Sequence, residues 1–145
     1  MMNDRFKYRV KFEIDGKIEI FDVTNLDIEG GQVFFKRDDG QDYNIGIGCE
    51  GVKLIQCTGL KDKHGKLIYE GDILKGKKNM ICSPHSSRMI DKVGVVEIPQ
   101  NMFVATCRDV KNNCTLFCQN DWVKTEVIGN IYENSELLNE VENDT

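Results

Sequence analysis

Apolar and polar residues alternate from the start of the chain. Phe6, Tyr8, Val10, Phe12 and Ile14 occupy one set of positions, and Lys7, Arg9, Lys11 and Glu13 the other. A period of two gives a ribbon with one apolar face and one wet face, which is a β-strand. Asp15-Gly16 follows, and a glycine at the second turn position accepts the positive φ of a tight hairpin. Residues 17–23 return as the second strand. Gly30-Gly31 then breaks the chain before Val33, Phe34 and Phe35. Asp38-Asp39-Gly40 turns it again, Tyr43, Ile45 and Ile47 alternate, and residues 52–57 carry a further strand pattern. The first third predicts short antiparallel strands joined by tight turns.

The middle of the chain is more punctuated. A polar turn separates Leu60 from Leu67-Ile68-Tyr69, with Gly65 in its left-handed position. Glu70-Gly71-Asp72 is a second bend, feeding Ile73-Leu74. Residues 76–91 are polar, rich in Lys and Ser and interrupted by Pro84, a composition that predicts a mobile loop. Strand patterns resume at 93–98, 102–108, 115–118 and 127–132, with Pro99-Gln100-Asn101 as one connecting turn. Asn134 stands where a helix cap belongs, ahead of Glu136, Leu137, Leu138 and Val141. The chain ends in an acidic tail.

These elements make a mainly β protein of short antiparallel strands and hairpins with one short C-terminal helix. Its 145 residues fit one domain or two small β subdomains. The organisation expected is a hairpin region over residues 1–57, a small barrel over 58–138 and the tail over 139–145. The Gly-Asp bend, the strand after it, the variable segment, Gly94-Val95-Val96 and the Phe103 strand follow the order of an SH3-like barrel, an analogy of fold alone.

Charge and cysteine usage narrow the setting. A net charge of −5 argues against bulk charge-driven binding to nucleic acid, although a local basic patch remains open. No apolar run approaches the roughly 20 residues that a bilayer requires, and the N-terminus enters a strand pattern without a secretory core. The expected address is the cytoplasm, with no membrane partner. There the six cysteines are expected as thiols, and none forms a Cys-x-x-Cys pair.

Two blocks are specific enough to carry a resemblance. The first is Thr58-Gly-Leu-Lys-Asp-Lys-His-Gly-Lys-Leu-Ile-Tyr-Glu-Gly-Asp-Ile-Leu74, and the second is Val127-Ile-Gly-Asn-Ile-Tyr-Glu-Asn134. Together they resemble the signatures of the YopX family of phage and prophage proteins over residues 54–138. His64 stands where that family usually has Asn, and Ser135 where it has Pro; both are exchanges that turn and helix-start geometry tolerates. The resemblance implies an uncharacterised, mostly β accessory protein in a bacterial host cell.

Backbone geometry accounts for most of the signature. Its glycines sit at bends, Asp62 and Asp72 suit hydrogen bonds to turn N–H groups, and Leu60, Ile68, Ile73, Val127 and Ile131 are core material. The leading expectation is therefore a non-catalytic interaction module that binds a host or phage protein or a second copy of itself. Nucleic-acid binding is the alternative, with Lys61, Lys63, Tyr69, Lys77 and Lys78 as candidate contacts, because basic grooves with stacking aromatics hold single strands. An enzyme ranks last: the two histidines, His64 and His85, lie in predicted loops without an orienting partner. No cofactor and no metal site is expected. Cys82 and His85 are the pair from which a zinc site would start, but their spacing to the other cysteines is loose.

Overall fold

The computed structural model describes residues 7–99, 104–109, 115–117 and 119–138, except the side chains of residues 80–82. The chain is mainly β. Its strands are β1 (Tyr8–Ile14), β2 (Lys17–Asp27), β3 (Gln32–Lys36), β4 (Asp42–Gly46), β5 (Lys53–Lys61), β6 (Leu67–Tyr69), β7 (Asp72–Ser83), β8 (Ser86–Glu97), β9 (Thr106–Asp109), β10 (Thr115–Phe117) and β11 (Glu126–Asn130). They form two antiparallel sheets. The chain divides into two compact units, the first ending at Cys57 and the second beginning at Thr58.

The first unit is built on the hairpin that the alternation predicts. Ile14 faces Lys17 across the turn, where Asp15 and Gly16 take φ values of 53° and 78°. Positive φ at both central positions is the geometry whose twist matches that of the flanking strands. The strand order is β4-β3-β2-β1-β5. β2 runs to Asp27, past the expected end at 23, through a bulge between Val23 and Asn25. Alternate residues bury Val10, Phe12, Val33 and Phe35. The rings of Phe12, Phe21 and Phe35 lie 5.3–5.9 Å apart, centroid to centroid. Each large apolar side chain buried here stabilises the unit by about 1.5–3 kcal/mol before entropy is counted. Arg37 closes the cluster, with its guanidinium 5.7 Å from the Phe21 centroid and 5.4 Å from that of Tyr43. The same group donates to the Glu19 carboxylate at 3.1 Å.

The second unit carries a five-stranded sheet of order β10-β9-β8-β7-β11. Its core gathers Ile68, Leu74, Val96, Cys107, Leu116, Phe117 and Trp122. Trp122 sits on a 3-10 helix, Gln119–Lys124, and is 1% exposed. Its indole N–H donates to the Phe117 carbonyl at 3.3 Å, so the one polar atom of a buried ring is satisfied. Among the described residues no pairing joins β10 to β11. The coarser architecture, mainly β in two antiparallel sheets, is what stands.

Residues 76–91 are a correction: they are strand rather than loop. β7 and β8 pair from Ile73↔Val95 outward to Ser83↔Ser86, joined by a turn at Pro84 and His85. β11 pairs with β7 only over residues 72–75, and β9 pairs with β8 only over residues 94–97. Beyond those limits, among the described residues, the two strands pair only with each other. They form a two-stranded arm held by cross-strand pairing, and most of its described side chains are exposed, so its pattern lacks apolar alternation.

The C-terminal helix begins where expected but starts differently. Within the described residues it covers 136–138. The Asn134 backbone carbonyl accepts from the Leu137 N–H at 2.9 Å. Its side chain turns back to accept from the Asn130 N–H at 3.1 Å and does not cap the new turn. Phe6, Phe103, Cys114, Cys118, Val141, the Gln100-Asn101 part of the turn and the tail 139–145 lie outside the described residues. Among the described residues no helix is long and apolar enough to cross a membrane.

Candidate functional site

The first signature block folds around Asp62, which is 4% exposed. One carboxylate oxygen accepts from the backbone N–H groups of His64 and Lys66, both at 2.9 Å. The other accepts from the N–H of Val127 at 3.0 Å, tying the first block to the second across 65 positions of sequence. Burial on its own would raise this carboxyl, but the three N–H bonds and nearby His64 outweigh it and hold the group below its ordinary value. Gly65 takes the expected left-handed position at φ 78°.

Asp72 closes the second bend. It is 3% exposed and accepts from the Tyr69 N–H at 2.8 Å. Gly71 between them has φ 87°, and a Cβ there would lie 2.8 Å from the Tyr132 ring. Its N–H donates to the Val96 carbonyl and its carbonyl accepts from the Ile131 N–H. Asp62, Asp72, Gly65 and Gly71 of the signature are thus engaged by backbone. Among the described residues no three His, Cys, Asp or Glu side chains gather as metal ligands. His85 is exposed in the arm turn, and the Cys82 side chain lies outside the described residues. Cys107 is fully buried, and its thiol is pushed up to about 12 by burial and by the charges of Asp109 and Glu97.

The expected contact residues separate into three groups. Lys63, Lys77 and Lys78 line two adjoining concavities beside the arm. Lys61 is exposed at the end of β5 and lines neither. Tyr69 is a correction: at 4% exposure its ring belongs to the core and presents no stacking face. β6 is only three residues long, and both Ile68 and Tyr69 are buried, so the alternation that would have left Tyr69 wet is broken.

The structure adds Lys75 from β7 and Lys124 from the 3-10 helix to the same surface. Met89, Lys77 and Lys124 are shared by both concavities. Lys124 was hidden from sequence reasoning because it lies far along the chain on an element with no periodic signal. Three carboxylates also line the surface: Asp91, Asp121 and Glu126. Asp121 lies 3.8 Å from Lys124. Glu126 lies 3.7 Å from Lys63 and 3.4 Å from His64. Among the described residues no carboxylate comes within ion-pair distance of Lys75, Lys77 or Lys78. Lys92, by contrast, turns inward to buried Asp109 at 3.9 Å.

Comparison with known proteins places the chain without assigning it an activity. No curated protein matches it. Protein EF1440 from Enterococcus faecalis, known from a crystal structure, is similar over 91% of this chain and 96% of its own, with a TM-score of 0.54 and 24% identity. That likeness is one of fold. The family model described as YopX protein matches residues 7–139, nearly the whole length. The chain belongs to the YopX protein family.

Proposed function

We propose that the protein is a non-catalytic interaction module, an accessory protein of phage or prophage origin, whose contact element is the β7–β8 arm with the groove beside it. The observation that carries this reading is charge segregation. Residues 75–93 hold five basic side chains (Lys75, Lys77, Lys78, Arg88 and Lys92, the last turned inward to Asp109) against the single carboxylate of Asp91. The segment is therefore +4 in a chain of net −5, which leaves −9 on the remainder. Concentrating like charge on an arm costs self-repulsion, and a strongly anionic partner relieves it. Such a partner meets the arm first, since like charge over the rest of the surface repels it.

The use of Asp62 and Asp72 in backbone hydrogen bonds supports binding over catalysis, because a carboxylate committed to turn N–H groups is a poor general base. The bend at Gly71 and the five strands of the second sheet support a small SH3-like barrel as the body from which the arm projects. The resemblance of the two signature blocks supports a phage or prophage origin and, with it, the cytoplasm of a bacterial host.

A second reading rests on the arm's outer edges, which are unpaired among the described residues beyond β11 and β9. A strand of another protein, or of a second copy, would add there by main-chain hydrogen bonding.

Heparin retention tests the contact element. At pH 7.5 the acidic chain is expected to bind heparin resin and to elute with salt, and Lys77→Gln/Lys78→Gln to elute clearly earlier. Passage of the wild-type chain through the column unretained, or identical elution of the two proteins, overturns the reading. Light scattering at rising concentration tests the edge reading: a strict monomer that captures no strand-forming partner ends it.

A further inference from the structure

We infer that the anionic partner is duplex nucleic acid, held through its phosphates by the arm and its groove. This rests on the arm being the contact element. Three observations separate duplex nucleic acid from other polyanions.

The first is shape. The arm is a two-stranded ribbon, and the major groove of a B-form duplex, roughly 12 Å wide, admits such a ribbon. The eight residues of β7 from 76 to 83 run beyond the β11 pairing. At roughly 3.3 Å per residue they extend about 26 Å, enough to cross that groove.

The second is the lack of a stacking platform. Single strands are held by aromatic faces that receive unpaired bases. Residues 75–93 contain no Phe, Tyr or Trp. Among the described residues Tyr69, the ring just before this segment, is 4% exposed, and Phe117, the ring that lines the groove, is 6% exposed. What this surface offers is charge without stacking, and charge alone matches the regular phosphates of a duplex.

The third concerns proteins. A stable protein interface is centred on desolvated apolar or aromatic anchors. Among the described residues the arm exposes one large apolar side chain, Met89 at 58%. Among its described charged side chains Lys77, Lys78 and Arg88 outnumber the exposed carboxylate of Asp91, and Lys75 stands at its base. Lys63 and Lys124 approach from two other elements, so cations reach the groove from more than one side. Asp91, Asp121 and Glu126 in the same groove temper the attraction and point to modest, sequence-independent affinity.

Fluorescence anisotropy with the full chain tests the inference, using a labelled mixed-sequence 20-base-pair duplex and each of its separated strands. The duplex is expected to bind more tightly than either strand. With three to four phosphates contacted, log K against log salt has a slope of about −3, or roughly 50-fold weaker binding at 200 than at 50 mM salt. Lys77→Gln/Lys78→Gln is expected to flatten the slope by about two units, while Lys36→Gln in the first unit leaves it unchanged. Circular dichroism confirms that each variant is folded. Equal or tighter binding of the single strands overturns the duplex inference while arm-dependent retention on heparin keeps the broader reading. Failure of both nucleic acids, with heparin and poly-glutamate still bound through the arm, overturns the inference in favour of an acidic protein. Failure of heparin as well overturns both.

Discussion

Replacing Asp62 with Asn removes a charge that the fold uses three times. The wild-type carboxylate accepts the N–H groups of His64, Lys66 and Val127 at 2.9–3.0 Å in a site 4% exposed. Hydrogen bonds to a charged acceptor contribute about 1.5–3 kcal/mol each, and neutral ones about 1. An asparagine oxygen can keep the pair from His64 and Lys66 at the neutral value. Its amide nitrogen then faces the Val127 N–H, donor against donor, and that bond is lost. The sum, softened by relaxation and water entry, is a loss of about 2–3 kcal/mol. Urea unfolding at pH 7, followed by the fluorescence of Trp122, the sole tryptophan, measures it in the unit concerned. Acid supplies the sign. Because the folded carboxyl lies below its ordinary 3.8, the native state binds fewer protons than the unfolded state between the two values. The stability it contributes is complete above about pH 5 and is lost as pH falls through the folded value. The gap between wild type and Asp62→Asn therefore narrows below about pH 4. A loss under about 0.5 kcal/mol at pH 7, a size ordinary for a surface substitution, would refute the reasoning. So would a gap that stays constant into acid.

Further outcomes follow from the same geometry. Gly71→Ala is expected to cost about 2–3 kcal/mol in urea unfolding, because an L residue at φ 87° is strained and its Cβ meets the Tyr132 ring; a cost near zero would remove the role given to this bend. Ellman's reagent at pH 8 is expected to modify exposed Cys49 quickly and to reach buried Cys57 and Cys107 only on unfolding; rapid labelling of Cys107 in the native protein contradicts its burial. Hydrogen exchange is expected to protect alternate amides within 76–83 and 86–93 by roughly tenfold or more over a free chain. Exchange of all of them at unprotected rates would return this segment to a loop.

What was legible in the sequence is what is decided locally. The β1–β2 hairpin announces itself because alternation and turn chemistry act within a few residues, and Asp15-Gly16 has the backbone freedom that the turn requires. The bends at Gly65 and Gly71 are legible for the same reason. The arm is not. Strand signals come from burial on one face, and most of the arm's described side chains are exposed, so Lys77, Asn79 and Arg88 give it the composition of a loop. Its order comes from pairing between β7 and β8 (Asn79 with Met89, Lys77 with Asp91), which no window on a single strand contains. Tyr69 fails in the opposite direction: the short β6 is covered on both faces, so a residue that reads as amphipathic is core. The groove combines both difficulties, since Lys63, Lys77 and Lys124 meet only once the second unit has folded.

The most direct test of the account is to find where a polyanion touches the chain. Amide spectra of the isotope-labelled full-length protein, titrated with a short heparin fragment at low salt, locate that surface. The account expects shifts concentrated at Lys75, Lys77, Lys78, Met89 and Lys124, with the amides of Asp62, Gly71 and Asp72 unmoved. Shifts centred on the Asp62 and Asp72 turns, with the arm unchanged, would contradict it by making the signature the binding surface instead of the scaffold.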